Sequence, residues 1–300
     1  MQMVADGRAI GITEFLQVHE GPLLVLFALL TQLSDVWFLF LLGGVLYITG
    51  DELPRWGIDR RRGLFVLALV VAYIALIGVL KNFFLLPRPA GAGEAPIVRW
   101  LPSAVRPVFV STATADGPGF PSGHAFGSVL FWGGLALVLD RWKRRTRLGI
   151  ASGVVLLVSF SRLALGVHYA VDVVVGIVLG VLVLGAFYWA TDQGTDPGRL
   201  FLITAVIGAL GLPLSVSFDS VAAVGGAIGG WLVWWRVAEA TPAHPTQRRE
   251  VAAGFAVLGL AAGLFGVLYV FQPSLPLTFV GVAVAVGGTV GAPLLGERLT

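Results

Sequence analysis

Apolar runs long enough to cross a bilayer as helices, which takes about 17 to 25 residues each, recur along the chain with short polar connections between them. They fall at roughly 35–50, 63–86, 122–140, 148–166, 169–190, 200–216, 219–236, 251–271 and 276–294. Backbone groups in hydrocarbon must find their hydrogen bonds within the segment, so runs of this kind predict helices. The expected fold is all-α, a polytopic membrane helix bundle of about nine transmembrane helices. Segment 12–33 is different: Gln17, His19, Glu20, Thr31 and Gln32 interrupt it, and Asp35 would be costly at the bilayer centre. It reads as an N-terminal amphipathic helix lying in the interface.

Composition confirms the solvent. Of the 300 residues, 57% are hydrophobic and only 12% charged, with a mean hydropathy of +0.88, far from soluble usage. With no cysteine there is neither a disulfide nor a thiolate nucleophile or metal ligand. The net charge of +3 would suggest nucleic acid in a soluble domain, but here the arginines sit in short loops and act as topology signals, so no nucleic-acid partner is expected. The first twenty residues lack a basic start followed by an apolar stretch, so no cleavable signal peptide is expected.

Basic residues gather at Arg55 with Arg60, Arg61 and Arg62; at Arg141, Lys143, Arg144, Arg145 and Arg147; and at Arg236, Arg248 and Arg249. With nine spans all three clusters fall on one side, which the positive-inside rule makes cytoplasmic. The 87–121 loop and the 161–168 turn then face outward, in what is expected to be the plasma membrane of a prokaryote.

That face receives three polar segments. In the first, Lys81 ends a long apolar helix and is followed by Arg88-Pro89. Arg88 offers a planar fork suited to phosphate oxygens, although Lys81 taken alone reads as well as a snorkelling anchor. In the second, Pro121-Ser122-Gly123-His124 opens a helix. Ser122 is a candidate N-cap, Gly123 permits close backbone approach, and a helix start favours an anion. A simple cap with an incidental histidine explains that segment equally well. In the third, Ser161-Arg162 precedes His168 and Asp172, four apart at a helix start. That spacing puts imidazole and carboxylate on one face, so Asp172 can fix the His168 tautomer and leave the other nitrogen free to attack. His19 and His244 have no partners at a meaningful spacing and receive no role.

Two histidines and a carboxylate can also hold a metal. Lys81, Arg88 and Arg162 would set three positive charges beside it, which favours an anion instead. No metal and no cofactor is therefore expected.

The whole pattern, Lys81 to Arg88-Pro89, then Pro-Ser-Gly-His at 121–124, then Ser161-Arg162, His168 and Asp172, resembles the signature of the type 2 phosphatidic acid phosphatase superfamily. The resemblance covers roughly 35–190 and implies a metal-independent membrane phosphatase. It implies His168 as nucleophile forming a phosphohistidine, Asp172 as its orienting partner, and His124 as acid and then base. It further implies Lys81, Arg88, Ser122, the Gly123 N–H and Arg162 as phosphate-binding groups. On this reading the chain divides into an interfacial segment at 1–34, a phosphatase core at 35–190 and a four-helix membrane extension at 191–300. The expected partners are membrane lipids and a lipid phosphate substrate, whether phosphatidic acid, phosphatidylglycerol phosphate or a polyprenyl diphosphate.

Two alternatives stay open. Glucose-6-phosphatase is similar in motifs, span number and topology, which would mean a soluble sugar phosphate. A transporter or flippase would use Asp35 and Asp172 as relay acids, with its charges near the bilayer midplane. In the extension, Gly225/Gly229, Gly226/Gly230 and Gly259/Gly263 have helix-packing spacing. Trp231, Trp234, Trp235 and Asp219 could instead shape a lipid or partner site.

Overall fold

A computed structural model describes residues 8, 11–18, 20–50, 57–94, 98, 100–245 and 247–298. Arg55 and His19 lie outside the described residues. Among the described residues there are helices and no strands. They are α1 (Ile12–Leu16), α2 (Pro22–Thr31), α3 (Val36–Thr49), α4 (Arg60–Phe84), α5 (Arg106–Ala113), α6 (Gly123–Ser128) and α7 (Gly134–Val138). Beyond these come α8 (Arg144–Ala164), α9 (Ala170–Ala190), α10 (Pro197–Gly211), α11 (Phe218–Val237), α12 (Arg248–Phe271) and α13 (Leu275–Arg298). A π turn at Val129–Gly133 joins α6 to α7.

Helix α4 is the axis. Its residues from Leu64 to Ala72 are all buried, which is why this stretch is apolar all round rather than striped. Helices α3, α6, α10 and α11 pack around it. At its N-terminus Asp59 caps the first turn by accepting from the Arg62 N–H at 2.9 Å. At its C-terminus Leu85 turns left-handed (φ 52°) and the two prolines carry the chain away.

Among the described residues five helices are long and apolar enough to span: α4, α8, α9, α12 and α13. A sixth span is available if α2 and α3, bent by 46° at the Gln32–Asp35 break, count as one. The expected number of nine is not reached among the described residues. The run at 122–140 becomes the short α6–α7 unit, and the run at 200–216 becomes a helix of 15 residues, about 22 Å at 1.5 Å per residue. Helix α11 has a glycine-rich sequence and does not qualify.

The expected amphipathic helix is also redrawn. The interrupting Gln17 and Glu20 precede α2 and Gln32 follows it, leaving Pro22–Leu30 apolar on every face, with Thr31 in the last turn donating its hydroxyl to the Ala28 carbonyl. Leu24 and Ala28 of α2 join Ala92, Phe109, Leu165 and Val167 in a second apolar cluster beneath the 87–121 loop.

The extension packs against the core. A Cβ at Gly225 or Gly229 of α11 would lie 2.5 Å from the Phe279 carbonyl oxygen or 2.2 Å from that of Ala283, so α11 and α13 touch backbone to backbone. Gly226 and Gly230 face Val286 and the Phe201 ring, whereas Gly259 and Gly263 meet nothing within 4 Å. Trp234 is buried with the Arg61 guanidinium over its ring at 5.6 Å, and Trp235 is exposed. Arg60 and Glu250 form a buried ion pair at 2.5 Å. These contacts gather residues 59–62, 140 and 238–250 at one end of the bundle.

Candidate active site

The opposite end of α4 carries the polar segments. Lys81 lies 21 residues beyond Arg60, about 31 Å along the helix axis. Tyr73, Ile77 and Lys81, at successive spacings of four, form one face of α4 and line a cavity of about 210 Å³. Lys81, Arg88, Gly123, His124, Arg162 and His168 line the same cavity. Three segments separated by some eighty residues of sequence thus converge on one space.

Arg88 is the hub. Its Nε donates to the Asp116 and Gly117 carbonyl oxygens at 3.1 and 3.2 Å, and one terminal nitrogen donates to the Val167 carbonyl at 2.9 Å. The same nitrogen lies 3.1 Å from His168 Nε2. A guanidinium only donates, so Nε2 must accept, and the ring proton of neutral His168 resides on Nδ1. Burial first, then the charges of Arg88, Arg162 and Lys81, push the His168 imidazole well below its ordinary value of 6.5. The ring is neutral at pH 7, with its Nε2 lone pair engaged by Arg88.

Asp172 stands in the first turn of α9, fully buried, and its Oδ2 accepts from the Tyr169 N–H at 3.0 Å. His168 Nδ1 is 3.5 Å from that oxygen. His168 precedes the N-cap Tyr169, so the pair meets across the start of α9 and not along a helix face, and the buried Nδ1 makes no hydrogen bond among the described residues. The carboxylate is shared: its Oδ1 pairs with Arg8 at 2.7 Å.

The Ser122 N–H donates to the Asp172 carbonyl at 2.9 Å, locking the start of α6 to α9. The contact is close because Gly176 faces it; a Cβ there would lie 2.7 Å from the Ser122 carbonyl oxygen. Ser122 occupies the N-cap position without a side-chain cap bond, and its buried hydroxyl has no partner among the described residues. It does not line the cavity, unlike Gly123 and His124. Ser34, at the α2–α3 break, donates to the His124 carbonyl at 2.8 Å and fixes that turn. Arg162 is buried in the last turn of α8 and donates weakly to the Thr112 carbonyl at 3.5 Å.

Among the described residues, no three His, Cys, Asp or Glu side chains gather in the way a metal ion needs. The cavity instead presents a tier of fixed cations beside two imidazoles. Such a constellation suits an anion with several oxygens.

Residues 62–196, which hold all three segments, match the model of the PAP2 superfamily. That stretch is similar to the PAP2 superfamily. No curated protein and no solved structure matches the chain.

The PAP2 match begins at residue 62, so several residues at the site lie outside it. Thr31 and Asp35 line the cavity from the α2–α3 break. Asp35 carried a sequence signal, an acid inside an apolar run, but one that did not point to the phosphate segments. Within the match, Ser111, Thr112, Thr114 and Asp116 supply a polar wall from the 87–121 loop, where no periodicity could have singled them out. Tyr73 could have been found, being two helical steps of four before Lys81. Arg8 has no such pattern around it.

Proposed function

We propose that the chain is an integral membrane phosphatase that hydrolyses a lipid phosphate monoester or an isoprenoid diphosphate through a phosphohistidine, without a metal. The observation that carries this reading is the His168 ring, its Nε2 held as an acceptor by Arg88 in a cavity shared with Lys81, Arg162 and His124.

In the first step the Arg88 guanidinium redirects its N–H hydrogen bond from Nε2 to a phosphoryl oxygen, the freed Nε2 lone pair of His168 attacks phosphorus, the P–N bond forms, and the P–O bond to the alkoxide breaks. His124, which burial and then the charges of Arg162, Lys81 and Arg88 hold well below 6.5, takes up a proton once the substrate's negative charge offsets those cations and passes it to the leaving oxygen. Lys81, Arg88, the Gly123 N–H and Arg162 hold the phosphoryl oxygens as charge builds on them, and the buried Ser122 hydroxyl, set behind the cavity wall, would join them only by turning into it. In the second step His124 takes a proton from water, the hydroxide attacks phosphorus, and the P–N bond breaks to release phosphate. Asp172 faces the Nδ1–H and stabilises the imidazolium-like ring of the intermediate.

The lipid assignment rests on the cavity's position at the ends of apolar helices, where a headgroup can enter while its tails stay in lipid. The same position counts against a transporter, whose charges would belong near the midplane.

Purified protein in chelator should release phosphate from one of phosphatidic acid, phosphatidylglycerol phosphate or a polyprenyl diphosphate, and vanadate should inhibit it. His168→Ala should abolish release. Undiminished release in that variant would sink the mechanism, and turnover of glucose 6-phosphate alone would overturn the substrate class.

A further inference from the structure

The N-terminal part of the chain reaches the site from outside the family match. Arg8 is 6% exposed and pairs with Asp172 Oδ1 at 2.7 Å. Its other terminal nitrogen donates to the Pro87 carbonyl, next to Arg88, at 2.9 Å. Its guanidinium also stands near the Phe120 and Tyr169 rings, at 5.8 and 5.1 Å from their centroids. One side chain therefore touches residues adjoining all three polar segments: Pro87 before Arg88, Phe120 before Pro121, and Tyr169 with Asp172 after His168.

The neighbouring residues are docked on the same turn. Thr13 Oγ1 donates to the His168 carbonyl at 3.2 Å, and the Val18 N–H donates to the Ala164 carbonyl at 2.8 Å. A Cβ at Gly166 would lie 2.4 Å from the Gln17 amide, so the turn and this segment are in direct contact.

The geometry of the carboxylate gives Arg8 a task. Asp172 has two oxygens and three claimants: Arg8 on Oδ1, and the Tyr169 N–H and His168 Nδ1 on Oδ2. A guanidinium on Oδ1 fixes the rotation of the carboxylate about its Cβ–Cγ bond and so keeps Oδ2 on the imidazole side, 3.5 Å from Nδ1, near enough to take its proton with a small shift. Without it, Asp172 would be a buried charge held by one backbone N–H and free to turn away from the ring.

We propose that Arg8 is a positioning residue of the active site, acting on His168 through Asp172, and that residues 11–18 clamp the 164–168 turn in support of it. This rests on the phosphatase reading above. Because Arg8 does not line the cavity, its loss should act on the chemical step and not on substrate capture.

The test compares full-length wild type, Arg8→Ala, Arg8→Lys and His168→Ala on whichever lipid phosphate the wild type hydrolyses. For Arg8→Ala, kcat should fall by about ten- to a hundredfold, taking the range seen for groups that orient metal-binding imidazoles as a guide, with KM unchanged. Added guanidinium at millimolar concentration should restore part of the rate in Arg8→Ala and none in His168→Ala. Arg8→Lys should fall between wild type and Arg8→Ala. An unchanged or raised kcat in Arg8→Ala overturns the proposal, the latter meaning that Arg8 competes with His168 for Asp172. A loss that guanidinium does not relieve also overturns it, since that is the mark of a damaged fold. Wild type that releases no phosphate from any substrate counts against the phosphatase reading, whereas an active wild type matched by Arg8→Ala counts against Arg8 alone.

Discussion

The His168 ring concentrates the chemistry of the site, and its charge state decides whether it can act. A protonated imidazole has no lone pair to offer, while burial and three nearby cations hold this one well below 6.5. Its protonation should therefore come only at a pH well under that value, and the nucleophilic form should persist through mildly acidic conditions. Histidine-selective ¹⁵N NMR of the free protein, with His168→Ala for assignment among four histidines, reads this directly. A neutral ring at pH 6 is the expected outcome; titration at or above 6.5 would contradict the environment described. The sequence disclosed this residue because His168 and Asp172 sit four apart beside Ser161-Arg162. It could not disclose that Asp172 divides its oxygens with Arg8, because a salt bridge across 164 positions leaves no spacing to read.

Helices pose a different problem of legibility. Apolar runs marked where helices occur, and α4, α8 and α9 coincide closely with the expected segments. The runs did not mark which helices are long enough to span, since a break such as Gln32–Asp35 or a largely apolar turn such as 212–217 depends on tertiary contacts. Glycine pairs show the same limit. Gly225/Gly229 and Gly259/Gly263 have the same spacing, yet only the first pair meets another backbone. Gly229→Val should thus force α11 and α13 apart, with about 1–3 kcal/mol of overpacking cost and a visible drop in Tm in detergent. Gly259→Val, facing open space, should leave Tm within a degree or so of wild type or raise it slightly through helix propensity. Equal effects of the two substitutions would mean that α11 and α13 do not pack as described.

At the scale of the whole molecule the charges are sorted to opposite ends of α4. One end holds the Arg60–Glu250 pair, buried to 0% and 1% exposure, which ties the core to the extension. Glu250→Gln leaves a buried guanidinium without its counter-charge and should cost about 3–5 kcal/mol, seen as a lower Tm with the site's chemistry intact once folded. The other end holds the cavity and its loop. If loop charge sets orientation, the arginine-rich end is cytoplasmic and the cavity faces outward. The chain has no cysteine, so a single introduced thiol reports its own side of the membrane without background. Glu94→Cys, exposed in the 87–121 loop, and Arg145→Cys, exposed at the start of α8, sample the two ends. In intact cells a membrane-impermeant maleimide should label Glu94→Cys at once and Arg145→Cys only after permeabilisation. The reverse pattern would turn the cavity toward the cytoplasm, and with it the source of the phosphate: a lipid intermediate made inside the cell, and not one already carried to the outer leaflet.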